Sequence, residues 1–104
     1  MKAIVIDAKY RKVKEVTLGE GIDDYYKHLD CRCFTVVATP SGDVFVDDEG
    51  MYRQDDHGFV IQGYHSPLRG NGVMVGAPNG EGESQDVEMT VADVISIVQF
   101  FGGE

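Results

Sequence analysis

The residues best suited to chemistry lie in one acidic stretch, DVFVDDEGMYRQDDHG, which runs from residue 43 to residue 58. It holds six carboxylates in sixteen residues and a single arginine. Carboxylates at this density can bind a hard cation, present negative charge to a basic partner, or keep a loop solvated at the surface. The carboxylates are Asp43, Asp47, Asp48, Glu49, Asp55 and Asp56.

The stretch does not fit an EF-hand, which needs oxygen ligands at its first, third and fifth positions, glycine at the sixth and glutamate at the twelfth. If Gly50 is the sixth position, the first is Phe45, and if Gly58 is the sixth, the twelfth is Tyr64. Both frames fail. A looser cation site stays open as an alternative, built from Asp47, Glu49 and Asp55.

A second group of potential ligands combines imidazole and thiol. Structural zinc sites pair cysteines two to four residues apart, whereas a single residue separates Cys31 from Cys33. The two thiols are also too close for an ordinary disulfide, and small hydrophobes at the start of a strand would show the same spacing. We therefore expect no cofactor and no metal. The alternative zinc ligands are His28, Cys31 and Cys33, with His57 or His65 as the fourth.

The glycines near residue 72 match no nucleotide-binding fingerprint, because Gly70-x-Gly72 is followed by Val75 where the third glycine belongs and no Gly-Lys-Ser/Thr follows. Ser66 directly follows His65, a spacing that does not pair a nucleophile with its base, and no G-x-S-x-G is present. A small-molecule- or metal-dependent activity remains an alternative. Its pocket would contain Tyr64, His65 and Arg69.

The net charge of −9 is unevenly placed along the chain. Residues 1–33 carry seven Lys/Arg against six Asp/Glu, whereas residues 34–104 carry two against twelve, so the two parts have charges of +1 and −10. An acidic surface repels phosphate, which disfavours direct nucleic-acid binding. It would attract a protein with a basic groove instead.

Size and hydropathy predict a single domain over residues 1–104, since the length and the 42% hydrophobic content are ordinary for one globular unit. The first apolar run spans only residues 3–6, too short for a signal peptide. No run approaches the roughly eighteen residues of a membrane helix. We therefore expect a cytoplasmic protein with no membrane contact and reduced cysteines.

Alternation and turn residues predict two β-hairpins, KAIVID with VKEVT, and CFTVVAT with DVFVD. FVIQG and VMVG predict further strands. Between the hairpins, Ile22, Tyr25, Tyr26 and Leu29 have the spacing of one helix face. A Thr-x-x-Asp capping signal then opens an apolar helix expected over residues 91–101. The predicted fold is α+β: a mainly antiparallel sheet of five or six strands with one short helix and a C-terminal apolar helix packed on it.

The order of these segments resembles the domain of unknown function 3846 family. The segments that carry the resemblance are MKAIVIDAKYRKVKEVTL, a short helix, VFVDDEG, GNGVMVGAPNGEGES and MTVADV. The family comprises small proteins of phages, plasmids and bacteria, and it implies no catalytic residues. It places Asp47, Glu49 and Gly50 at a strand end and polar turn, and it favours a protein that interferes with host machinery.

Our leading hypothesis is a small acidic, non-enzymatic binding module of a phage or mobile element. It would contact a host or phage protein with a basic surface in the host cytoplasm, as a decoy for a nucleic-acid-binding groove. One alternative is the activity at Tyr64, His65 and Arg69. Another is a self-associating structural protein that forms a homodimer through the C-terminal helix.

Overall fold

The computed structural model describes residues 1–49 and 57–102, and this part of the chain has the α+β fold predicted. The strands are β1 (Lys2–Asp7), β2 (Lys12–Thr17), β3 (Phe34–Thr39), β4 (Gly42–Asp47), β5 (Gly58–Ile61), β6 (Leu68–Arg69), β7 (Gly72–Val75) and β8 (Val98–Phe101). The helices are α1 (Asp23–Leu29) and α2 (Val91–Ile97).

The strands form two antiparallel sheets. A five-stranded sheet has the order β2-β1-β7-β4-β3, and a three-stranded sheet has the order β6-β5-β8. Both predicted hairpins are confirmed, with β1 paired to β2 and β3 paired to β4. β7 lies between the hairpins and pairs with β1 on one side and β4 on the other.

The two faces of the large sheet bury separate apolar clusters, because side chains alternate along each strand. Ile4, Val44 and Val46 belong to the cluster that also holds Phe59 of β5 and Val94 of α2. The other face carries Val5, Val73 and the residues of α1. β4 contributes to both clusters, with Val44 and Val46 on one face and Phe45 on the other.

Helix α1 covers the second face through its aromatic side chains. Tyr25 is 8% exposed and its ring centroid lies 4.4 Å from that of Phe45, while Tyr26 lies 4.9 Å from Phe34. Leu29 is buried beside them. The tyrosine pair therefore acts as core cover, as the helical spacing predicted.

The C-terminal helix begins as predicted but ends four residues early. Asp93 N–H donates to Thr90 Oγ1 at 3.1 Å and Thr90 N–H donates to Asp93 Oδ2 at 3.0 Å, which completes the capping box. The helix stops at Ile97, and the next four residues form β8 on β5. A side chain at Gly58 would meet the Phe101 ring at 2.5 Å, so the glycine leaves room for β8 to pair there. Within residues 1–49 and 57–102, no helix is long and apolar enough to cross a membrane.

Candidate functional site

The acidic stretch leaves β4 in a turn that hydrogen bonds hold in place. We call Asp47, Asp48 and Glu49 the acidic turn. Asp47 Oδ1 accepts from Glu49 N–H at 2.9 Å, and Asp48 N–H donates to the Cys33 carbonyl at 3.0 Å. Arg32 Nη2 lies 3.3 Å from Glu49 Oε2, but both side chains are exposed, so this ion pair contributes little to stability. The turn presents three carboxylates in a defined arrangement at the end of β4.

The other three carboxylates of the acidic stretch do not extend this turn within the described residues. Asp43 lies four residues back along β4, about 13 Å from Asp47 at the usual rise per strand residue. Its neighbours across the sheet are Ala38 and Val75. Asp55 and Asp56 lie outside the described residues. The acidic turn is thus the part of the acidic stretch that the structure brings together.

Beside the acidic turn runs β3, an edge strand of the large sheet. Alternate residues of an antiparallel strand exchange both backbone hydrogen bonds with the partner strand. The bond between Cys33 and Asp48 continues the β3–β4 register, so the odd-numbered residues of β3 bond to β4. The N–H and C=O groups of Phe34, Val36 and Ala38 therefore point away from the sheet. No residue within 1–49 or 57–102 hydrogen-bonds to these outward groups.

The composition of β3 leaves this edge open to pairing. Edge strands are normally guarded by charge, by proline or by short length. β2, at the opposite edge, carries Lys12, Lys14 and Glu15, and β6 is only two residues long. β3 has six residues, FTVVAT, without charge or proline. At the centre of β3, Val36 is 47% exposed. β8, the other edge of the small sheet, is also uncharged but has only four residues. Among the described strands, β3 is therefore the longest edge without charge or proline.

The alternative pocket residues lie on and before β6. The ring centroids of Tyr64 and His65 are 4.7 Å apart, and Tyr64 packs against the larger core cluster. Arg69 is exposed on β6, where its backbone pairs with Gly58. The structure thus places Tyr64 and His65 side by side.

The alternative zinc ligands do not form a cluster in the described part of the chain. His28 lies in the last turn of α1, Cys31 is half-buried after it, and Cys33 is exposed. His57 is half-buried, and its carbonyl accepts from Gly70 N–H at 3.0 Å. Within residues 1–49 and 57–102, no three Cys, His, Asp or Glu side chains are placed to hold a metal ion.

A feature missed from the sequence is a cleft between the β1–β2 turn and the C-terminal end of α1. Its volume is about 430 Å³, and we call it the basic cleft because three lysines from three different segments line it. The lining residues are Val5, Asp7, Lys9, Tyr10, Lys14, Lys27, His28, Asp30 and Asn71. The basic residues between positions 9 and 14 stand out in the sequence, but they fit an ordinary solvated hairpin tip.

Asn71 fixes the shape of the basic cleft. Its Oδ1 accepts from Ala8 N–H at 2.9 Å, and its Nδ2 donates to the His28 carbonyl at 3.3 Å. One side chain therefore ties the β1–β2 turn to the end of α1. Burial, followed by the Lys14 and Lys27 ammonium groups, lowers the pKa of His28, while Asp24 acts in the opposite direction.

Comparison with known proteins supports the resemblance noted from the sequence. A family model described as Domain of unknown function (DUF3846) matches residues 1–99 of the 104-residue chain. No curated protein and no solved structure gives a match. Because the family match covers nearly the whole chain, the protein belongs to the DUF3846 family.

Proposed function

We propose that this protein is a non-enzymatic binding module that captures an extended segment of a partner protein along β3. The observation that carries the proposal is the unguarded outer edge of β3 beside the acidic turn. An extended segment that adds to a sheet edge gains affinity from backbone hydrogen bonds, and side-chain contacts provide its specificity. Phe34, Val36 and Ala38 offer the backbone groups required.

The acidic turn supplies the charge preference of this module. Asp47 is the register partner of Phe34, so the three carboxylates flank one end of the open edge. A segment with Lys or Arg at that end would be attracted, whereas an acidic segment would be repelled. This refines the hypothesis of a host or phage partner with a basic surface. The partner would contribute an uncharged β-forming stretch followed or preceded by basic residues.

The test begins with panning a library of random twelve-residue peptides against the purified protein. Enriched peptides are then measured by isothermal titration calorimetry and by NMR of the backbone amides. We expect β-branched sequences with basic residues at one end, and the largest amide shifts at Phe34, Val36 and Ala38. Val36→Pro removes an outward donor and should weaken binding by about tenfold or more, because one hydrogen bond and the neighbouring strand contacts are lost.

Val36→Thr is the matched control, because it keeps the outward N–H and a β-branched side chain; it should bind nearly as well as the original protein. Neutralising the acidic turn with Asp47→Asn, Asp48→Asn and Glu49→Gln should remove most of the salt dependence. Peptides that bind Val36→Pro unchanged would refute the proposal. So would a dimer in light scattering that Val36→Pro converts to a monomer, since β3 would then already be occupied by a second copy.

A further inference from the structure

We propose that the basic cleft is a binding site for a small phosphate ester, a second binding activity that is independent of β3. The ligand class is a phosphorylated molecule no larger than a mononucleotide. The lysines of the cleft would bind the phosphate, and its polar neighbours would bind the hydroxyl groups of the ester. The residues concerned are Lys9, Lys14 and Lys27 for the phosphate, and Asp7 and His28 for the hydroxyls.

Three lysines converge on one cavity. Lys9 comes from the β1–β2 turn, Lys14 from β2 and Lys27 from α1, and all three line the same space. The lining carries three lysines against two carboxylates, those of Asp7 and Asp30, which is a formal charge of +1 in a chain with a net charge of −9. Positive charge gathered in a concavity attracts anions. After burial, Lys14 and Lys27 both lower the pKa of His28, whereas Asp24 raises it.

The three cleft lysines form no ion pair with another described residue. Within residues 1–49 and 57–102, the single ion pair is that of Arg32 with Glu49, so none of the three cleft lysines has a carboxylate within 4.0 Å there. The two acids that also line the cleft are Asp7 and Asp30, and Asp7 Oδ1 accepts from Tyr10 N–H at 3.2 Å, so this oxygen is directed towards the β1–β2 turn. The lysine ammonium groups are thus available to the oxygens of an anion.

The cleft has the size and rigidity expected of a small-molecule site. A volume of about 430 Å³ falls in the usual range of small-molecule sites. Asn71 holds the two walls together through its hydrogen bonds, so the lysines project from a fixed frame. Tyr10 is 51% exposed at the rim, and Lys9 Nζ lies 5.5 Å from its ring centroid. This ring offers an apolar surface to the organic part of the ester.

The experiment is an NMR titration of the full chain with four separate probes. They are inorganic phosphate, ribose 5-phosphate, an equimolar mixture of nucleoside monophosphates, and vesicles of phosphatidylcholine with one-fifth phosphatidylserine. We expect saturable shifts at His28 and the Asn71 side-chain amide with ribose 5-phosphate or the nucleotides, and weaker binding of inorganic phosphate. Binding to the vesicles alone would overturn the proposal in favour of a membrane surface, and no binding to any probe would refute it outright.

Matched charge variants decide whether the cleft is responsible. Lys14→Gln with Lys27→Gln removes two lining cations, whereas Lys2→Gln with Arg69→Gln removes the same charge at residues that do not line the cleft. The first pair should weaken ester binding by about a hundredfold, since each charge-assisted hydrogen bond accounts for roughly tenfold or more. The control pair should change it less than about threefold. Equal weakening by both pairs would mean that only net charge matters and would overturn the site. Peptide capture at β3 should be unaffected by either pair, so the two proposals fail independently.

Discussion

Proline substitutions at two adjacent positions of β3 distinguish its outward from its inward backbone groups. Val37 pairs with Val44 in the register, and its N–H points towards β4. Val44 is completely buried. Val37→Pro therefore leaves a buried carbonyl without its donor, at a cost of about 1–3 kcal/mol. Distortion of the strand by the proline ring adds to this, so we expect a total loss of about 3 kcal/mol.

Val36→Pro should be far less damaging, because the N–H that it removes points away from the sheet. Proline is tolerated on an edge strand in this position. The remaining cost is the lower strand propensity, which stays below about 1 kcal/mol. The two variants should thus differ by about 2 kcal/mol in the free energy of unfolding, although they change neighbouring residues of identical type.

Urea unfolding followed by far-UV circular dichroism measures this difference. For a chain of this size the dependence on urea is about 1–2 kcal/mol per molar, so the midpoints should lie about 1–2 M apart. Val36→Ala and Val37→Ala serve as controls that subtract the loss of each side chain. Equal destabilisation by the two prolines, or a greater effect at Val36, would show that the outward groups are assigned wrongly. The binding edge proposed on β3 would then lose its basis.

Phe59→Ala should lower the free energy of unfolding by about 3–5 kcal/mol, because Phe59 is completely buried in the larger cluster. Phe59→Leu should cost clearly less in the same urea assay; equal costs would contradict the cavity argument. Thr90→Ala should cost about 1 kcal/mol through loss of the capping box, while Thr90→Ser keeps most of it in calorimetric melting. Burial first, then nearby lysines, lowers the pKa of His28, so the unfolded chain takes up this proton at a higher pH than the folded chain. The free energy of unfolding should therefore fall as the pH drops below about 6.5, and His28→Gln should remove that part of the fall; an unchanged pH profile would contradict it.

Local patterns predicted most elements because each has a physical cause within a few residues. β-forming residues and a short turn define each hairpin, with four residues (8–11) in the first turn and two (40–41) in the second. The capping box defines the start of α2. The end of α2 was predicted wrongly because residues 91–101 are apolar at almost every position, which suits a buried helix and a paired strand equally. Pairing decides between them: β5 offers its edge to residues 98–101, and Gly58 leaves space for Phe101.

The candidate sites were harder to predict because they depend on which strands are neighbours. CFTVVAT is predicted as a hairpin strand, but the position of β3 at the edge follows from β7 lying on the other side of β4. The basic cleft brings together Lys14 and Lys27, which are thirteen residues apart. Its walls are tied by Asn71, which lies forty-three residues beyond the His28 carbonyl that it binds. No periodic pattern in the sequence indicates that these distant residues lie together. The acidic turn was recognisable because its three carboxylates are consecutive.

The central position of β7 determines the order in which the large sheet can assemble. The two hairpins are complete by residue 47, but β1 and β4 run in the same direction, and the antiparallel strand that joins them is supplied only by residues 72–75. During synthesis, the inner edges of both hairpins remain unpaired until that strand leaves the ribosome. Such distant pairings slow folding and expose strand edges to aggregation. We therefore expect a chain cut before residue 72 to lack the strand that joins the two hairpins, so that the five-stranded sheet does not form.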